Sequence, residues 1–265
     1  MQPAPRPRFQ HYIGIDYSGA ATPRSSLAGL RIYRADRDTP PVEVLPPPSP
    51  RRYWTRRGVA DWLIARLSAD GPTLVGIDHG FSCPLDYFET HGLPLDWPAF
   101  LLDFQRHWPT DGDHVTVDVV RDGSVGAGAA RSGQARWRRL TERRAGGAKS
   151  VFHFDVPGSV AKSTHAGLPW LLQMRRGLGA RLHVWPFDGW SIPAGRSVVA
   201  EVYPSLWRDR FQVAGLTADQ QDAHAVAAWL RESDRDGSLD AALAPDLTPS
   251  ERALAEIEGW ILGVP

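Results

Sequence analysis

The sequence predicts an α/β protein built on a mixed five-stranded sheet with flanking helices. Two short apolar runs support this prediction, because continuous apolar runs are typical of strands that are buried on both faces. These runs are Tyr12–Asp16 and Leu74–Asp78, and each ends in an aspartate with a glycine two residues before it. Several later stretches have the 3.6-residue periodicity of amphipathic helices, which supplies the flanking layers.

The composition indicates one large folded domain. The chain has 265 residues, is 42% hydrophobic and contains 11 tryptophans, which is enough to bury a core. A formal net charge of zero gives no general attraction to nucleic acid or acidic membranes. The single cysteine, Cys83, excludes a disulfide framework and a cysteine-rich zinc site. Met1–Gln10 lacks the apolar stretch of a secretory signal, so we expect a cytoplasmic protein without membrane segments.

The first part of the chain predicts the order β-β-β-α-β. We expect residues 1–11 to form a disordered tail and residues 12–265 to form a single domain. The proline run Pro46–Pro50 predicts a stiff extended loop, because consecutive prolines fix φ and remove donors. The predicted elements are strands at Tyr12–Asp16, Leu27–Tyr33 and Val42–Leu45, a helix at Thr55–Ser68 and a strand at Leu74–Asp78.

The second part predicts a large insertion at about 84–189, followed by a fifth strand and a helix. Within the insertion we expect helices at Pro98–Trp108 and Ser159–Arg176, and strands at Val115–Val120 and Val151–Val156. The core then resumes with a strand at Val198–Tyr203, a helix that begins after Thr217 and a last helix that begins at Pro249. The order β-β-β-α-β-insertion-β-α is ribonuclease H-like.

Four acidic residues fall on the core elements of this order, namely Asp16, Asp78, Glu201 and Asp222. The first and fourth strands of such a sheet are parallel neighbours, so the two strand-end aspartates are expected about 5 Å apart. Asp222 shares a helical stripe with Val226, which directs its carboxylate towards the sheet. Ligands collect at the carboxyl ends of parallel strands, so we predict that these four acids are catalytic.

A carboxylate cluster of this kind needs positive charge. Two carboxylates about 4 Å apart repel by roughly 4 kcal/mol at an effective dielectric constant of 20, so either protons or cations must neutralise them. Oxygen ligands favour magnesium or manganese, and two ions are expected, held by Asp16, Asp78 and Asp222. Glu201 is a fourth ligand or a group that orients the base. Alternatively, the acids are turn or cap residues, and Glu201 pairs with an arginine.

A local basic segment could contact nucleic acid. Residues 131–149 contain six arginines and Lys149 around one tryptophan, and we single out Arg139, Arg143 and Trp137 for phosphate contact and base stacking. A solvated helix face or an internal ion-pair network is the alternative. Farther along, Ser159 and Lys162 open a predicted helix, where backbone donors and the ammonium group could hold a phosphate.

Short motifs along nearly the whole chain are similar to those of a known family. The matching stretches are Gly14–Asp16, Gly76–Asp78, Gly158–Val160, Glu201–Pro204, Asp222–Ala223 and Glu258–Ile261. Taken in this order, they resemble family 429 of the domains of unknown function. The resemblance implies a ribonuclease H-like fold and a predicted nuclease activity. Many members carry an arginine and acid motif after the fourth strand, where this chain has Phe81–Asp86 instead.

Three functions are therefore compared. The first is a magnesium- or manganese-dependent nuclease that cleaves phosphodiester bonds. The second is an actin-like nucleotide-binding or phosphotransfer protein, which Asp16–Gly19 matches loosely, although such proteins generally duplicate the fold. The third is a non-catalytic, partner-binding protein with the tryptophan-rich insertion as its interface. The order of the acids favours the nuclease, while its substrate and oligomeric state do not follow from the sequence.

Overall fold

A computed structural model describes residues 7–47 and 51–265 of the chain, and it is an α/β protein. Its centre is a six-stranded mixed sheet with the strand order β3-β2-β1-β4-β6-β5. The strands are β1 His11–Asp16, β2 Arg31–Asp36, β3 Val42–Glu43, β4 Thr73–Asp78, β5 Leu182–Trp185 and β6 Ser197–Glu201.

The sheet has an antiparallel half and a parallel half. Strand β2 pairs antiparallel with both β1 and β3, whereas β1, β4, β6 and β5 run parallel to one another. The prediction of five strands was wrong by one, because Leu182–Trp185 adds an edge strand beyond β6. This four-residue run follows directly on a short 3-10 helix, which leaves little periodic pattern to reveal it.

Helices cover both faces of the sheet. Helices α1 and α6 pack together over one face, where they bury Ile13, Ile15 and Ile77, and α7 lies against the other face beside Tyr12 and Leu74. None of the helices in the described part is both long and apolar enough to cross a membrane. The helices are α1 Arg56–Ala69, α2 Leu85–His91, α3 Trp97–His107, α4 Val117–Arg121, α5 Leu140–Arg144, α6 Ala161–Leu178, α7 Ala218–Asp236, α8 Leu239–Leu243 and α9 Pro249–Glu258.

Two predicted strands of the insertion were wrong. Val115–Val120 has a β-branched pattern, but the Thr116 side chain accepts a hydrogen bond from the Val119 N–H and starts the short helix α4 instead. Val151–Val156 forms consecutive turns. Its aromatic side chains Phe152 and Phe154 pack against the buried His165 ring, so side-chain burial rather than strand pairing holds this segment.

Residues before Tyr12, which the sequence assigned to a disordered tail, already make contacts with the domain. Phe9 is buried, and its N–H donates to the Asp234 carboxylate of α7 at 2.9 Å. Of the predicted disordered tail, residues 1–6 lie outside the described residues. The predicted proline loop is likewise described only at Pro46 and Pro47.

The glycines that precede the two strand-end aspartates let α7 approach the sheet closely. A Cβ atom on Gly14 would lie 2.2 Å from the Ala223 carbonyl oxygen and 2.6 Å from the Ala227 nitrogen, both in the α7 backbone. A Cβ atom on Gly76 would lie 2.8 Å from the Val226 side chain. Glycine is therefore required here by space rather than by backbone conformation.

We expect Gly14→Ala to destabilise the protein by about 1–3 kcal/mol, because α7 must move away from β1 to accept the methyl group. Urea denaturation followed by circular dichroism measures the change in the free energy of unfolding. Gly29→Ala is the matched control, since its Cβ would meet no atom closer than 3.7 Å. Equal stability of the two variants would contradict the close packing of α7.

Candidate active site

Two aspartates meet at one edge of the sheet. Asp16 and Asp78 end the neighbouring parallel strands β1 and β4, and they lie opposite each other in the register. Side chains two residues apart point to the same face of a strand, so both aspartates lie on the face of Gly14 and Gly76, which α7 covers. The predicted neighbourhood of these two residues is therefore confirmed.

Neither carboxylate has a partner. In the described part of the chain, no hydrogen bond or ion pair reaches the side chain of Asp16 or Asp78. Burial raises the pKa of Asp78 to about 8, and the negative charges of Asp222 and Glu201 add to this rise. Burial also raises the pKa of Asp16 well above its usual value, with Asp78 and Asp222 adding to it. The pair therefore holds a proton at neutral pH or attracts a cation.

Asp222 approaches this pair from α7. The helix begins with a capping box in which Thr217 and Gln220 satisfy each other's backbone N–H groups, and Asp222 lies one turn before Val226 on the buried side. Its charge raises the pKa of both strand-end aspartates, as expected for a carboxylate that faces them. The structure thus brings three of the four predicted acids together.

Arg208 lies at this site, although the sequence analysis did not single it out. Its Nε and Nη2 atoms donate to the two carboxylate oxygens of Asp222. The pKa of Arg208 is raised, first by this hydrogen bonding and then by the charges of Asp222, Asp16 and Asp78. No local motif marks this arginine, because it comes close to the aspartates only when the turn after β6 folds against α7.

Packing of its neighbours holds the Arg208 backbone in place. The Trp207 ring stacks on Trp229 of α7, with the centroids 3.9 Å apart and the planes at 11°. The Arg208 N–H donates to the Pro204 carbonyl oxygen at 2.8 Å. The guanidinium itself is 43% exposed, so its outer side faces solvent.

Glu201 belongs to the opposite face of the sheet, which corrects the predicted four-acid cluster. Its neighbours on β6, Ala200 and Val202, pack on the α7 side, so strand alternation directs Glu201 to the other side. There it accepts two hydrogen bonds from Arg139, at 2.5 and 2.7 Å, and one from the Phe81 N–H at 3.0 Å. Both oxygens of Glu201 therefore accept hydrogen bonds, and Glu201 pairs with an arginine, which was one of the two alternatives from the sequence.

Arg139 is a buried structural cation and not an exposed phosphate contact. Besides Glu201, it bonds Glu142 at 2.9 Å through Nε, and all three side chains are almost fully buried. Burial raises the pKa of Glu142, and the Arg139 charge opposes this rise. The sequence analysis gave an internal ion-pair network as one alternative for the basic segment. Arg139 fits this alternative, because its guanidinium N–H groups bond Glu142 and Glu201.

The other predicted substrate contacts lie in separate places. Arg143 is exposed, whereas Trp137 is partly buried with its ring edge-on to Phe152. At the start of α6, the Ser159 hydroxyl accepts the Ala161 N–H, and Lys162 donates to Asp118 at 2.7 Å. The structure does not bring these four residues into one binding surface.

A pocket opens next to Asp78, and the Arg139–Glu142–Glu201 network forms part of its lining. Loops of the insertion form one of its walls, so the insertion contributes to the site even though its basic residues disperse. Lys149 lies on this wall, where its ammonium donates to the Pro157 carbonyl oxygen at 2.6 Å. The lining comprises Asp78, His79, Arg139, Glu142, Gly147, Ala148, Lys149, Gly158, Val160, Glu201, Val202, Tyr203 and Ile261.

The arrangement of the acidic side chains bears on whether the site can hold a metal ion. Across residues 7–47 and 51–265, no group of three or more His, Cys, Asp or Glu side chains is arranged to hold a metal ion. Asp16 and Asp78 remain as two carboxylates without a partner, and Asp222 is bonded by Arg208.

Comparisons of this chain with protein-family models, curated proteins and solved structures found no match.

We expect Arg139→Ala to lower the free energy of unfolding by about 3–5 kcal/mol, because it leaves two buried carboxylates without a counter-charge. Arg143→Ala, four positions further along the same segment but exposed, should change stability by less than about 0.5 kcal/mol. Chemical denaturation of both variants gives the comparison. A mild effect of Arg139→Ala would show that the network is open to water.

The raised pKa of Asp78 predicts a stability that depends on pH. Between its unfolded value of 3.8 and its folded value of about 8, the folded state binds more protons than the unfolded state. Stability therefore falls as pH rises through this window, and the loss is complete above pH 8. Asp78→Asn removes this dependence.

The free energy of unfolding of Asp78→Asn relative to the native protein should accordingly increase by at least about 1 kcal/mol between pH 5 and pH 8. Urea denaturation in buffer with a chelator measures it without interference from cations. Asp86→Asn, the same substitution at an exposed position outside the site, is the control. A constant difference for Asp78→Asn would contradict the raised pKa.

Proposed function

We propose that this protein is a divalent-metal-dependent nuclease that hydrolyses phosphodiester bonds. The observation that carries the proposal is the pair formed by Asp16 and Asp78, in register at the carboxyl ends of two parallel strands and without a protein partner. Two half-buried, mutually repelling carboxylates cost stability unless a ligand compensates for them, so we assign them a ligand-binding role.

The residues present fit a hard divalent cation. Asp16 and Asp78 offer only oxygen ligands, which favours magnesium or manganese over zinc. When bound, such an ion activates water and stabilises negative charge on the phosphate. Asp16 and Asp78 would hold the ion. Arg208 presents its exposed edge beside them, where it can bind a phosphate oxygen.

The topology supports a ribonuclease H-like assignment. The parallel pairing of β1 with β4 and the packing of α7 on the sheet are the features that the sequence predicted for this fold. The acids sit on the first strand, the fourth strand and the helix after the last strand. The motif resemblance to family 429 of the domains of unknown function points in the same direction.

Nucleic acid is the substrate class that the surroundings favour. Lys149 lies on the pocket beside Asp78, and Arg136 and Arg143 are exposed in the same segment. Contacts of these residues with phosphates would give affinity that does not depend on sequence. The net charge of zero confines such attraction to this local region.

We expect purified protein to cleave labelled single-stranded DNA, duplex DNA, RNA or an RNA–DNA hybrid in the presence of Mn²⁺ or Mg²⁺, and not in the presence of a chelator. Asp16→Asn and Asp78→Asn should each lower the rate by at least about 100-fold, because each removes an ion ligand. Gel electrophoresis of the four substrates measures cleavage, with Asp86→Asn as the folded control. Activity that survives both substitutions would overturn the proposal.

A further inference from the structure

We infer that Arg208 takes the place of a second metal ion, so that the site holds one divalent ion, on Asp16 and Asp78, instead of two. This inference rests on the proposed function and deepens it. It departs from the two-ion arrangement expected from the sequence, because the third aspartate is already satisfied by a side chain of the protein.

The geometry of the Arg208–Asp222 pair supports this role. Nε and Nη2 of Arg208 form two parallel hydrogen bonds to the two oxygens of Asp222, an arrangement that occupies the carboxylate from its open side. The Asp222 side chain is only 12% exposed, so little of it remains accessible beyond this contact. A metal ion can use Asp222 as a ligand only if Arg208 leaves.

The balance of charge gives the same answer. Asp16, Asp78 and Asp222 carry three negative charges when ionised, and Arg208 carries one positive charge. The guanidinium bonds both oxygens of Asp222 and so offsets one of these charges. Two negative charges remain, and one divalent ion neutralises them. A second divalent ion beside Arg208 would leave an excess of positive charge in a partly buried site.

Arg208 is also free to contact substrate while it stays on Asp222. Its Nη1 atom forms no hydrogen bond with any described residue, and the side chain is 43% exposed. The stacked Trp207 and the backbone bond to Pro204 hold its base in place. This leaves a partly exposed donor near the aspartates that can bind a phosphate oxygen on which negative charge develops. Arg208 thus acts as a permanent cation that needs no second metal.

The test is the number of ions bound. Isothermal titration with Mn²⁺, checked by electron paramagnetic resonance of free Mn²⁺, should give one ion for the native protein. Arg208→Gln frees Asp222 and should bind two, whereas Arg208→Lys keeps the charge and should still bind one. The double variant Arg208→Gln with Asp222→Asn should return to one. Arg210→Gln, which removes an arginine paired with Glu232 nearby, is the control and should bind one.

The outcomes separate this inference from the proposed function. Two ions in the native protein, or one ion in a folded Arg208→Gln variant, would overturn the role of Arg208 and leave the nuclease proposal standing. No Mn²⁺ binding that Asp16→Asn and Asp78→Asn remove would overturn both. Near-ultraviolet circular dichroism verifies that each variant is folded, and the double variant shows whether a second ion depends on Asp222.

Discussion

The close seating of α7 on β1 and β4 is the constraint on which the site depends. Gly14 and Gly76 have no side chains, so the helix backbone comes into contact with the sheet. This contact brings Asp222 near the two strand-end aspartates, and the stacking of Trp207 on Trp229 brings Arg208 with it. A larger residue at either glycine would therefore disturb both the core and the charges. Packing and chemistry are inseparable at this edge of the sheet.

Strand alternation places the charged side chains in two systems on opposite faces, and the two meet at the pocket beside Asp78. On one face, Arg139 joins Glu142 and Glu201 in a network whose oxygens are occupied. On the other face, Asp222 has a partner but Asp16 and Asp78 have none. A closed network of buried ions serves structure, since removal of one member leaves the others uncompensated. Carboxylates without a partner gain more stability from a bound ligand than carboxylates that are already paired. For this reason we place the proposed function at Asp16 and Asp78, on the face that α7 covers.

The basic segment shows how charge that is close in sequence can disperse in space. Arg131 bonds Asp103, and Arg144 pairs with Glu251 and lies 5.6 Å from the centre of the Trp260 ring. Only short helical turns form here, such as α5, so no long helix presents these side chains on a common face. The number of basic residues in the segment predicted a surface that contacts nucleic acid. The acidic partners of these residues, however, come from distant parts of the chain, which the segment alone does not reveal. Of the cations in this segment, Lys149 and the buried Arg139 line the pocket beside Asp78.

The sequence by itself determined the two apolar strands that end in aspartates, the helix that carries Asp222 and their α/β order. These features depend on local periodicity, capping and strand burial, which neighbouring residues decide. Only the tertiary structure decided that Glu201 turns to Arg139, that Leu182–Trp185 adds a sheet edge and that Arg208 binds Asp222. Each of these depends on groups that are distant along the chain or on the face that a strand residue happens to occupy. Side-chain partners across a fold are set by packing geometry, which local pattern does not contain.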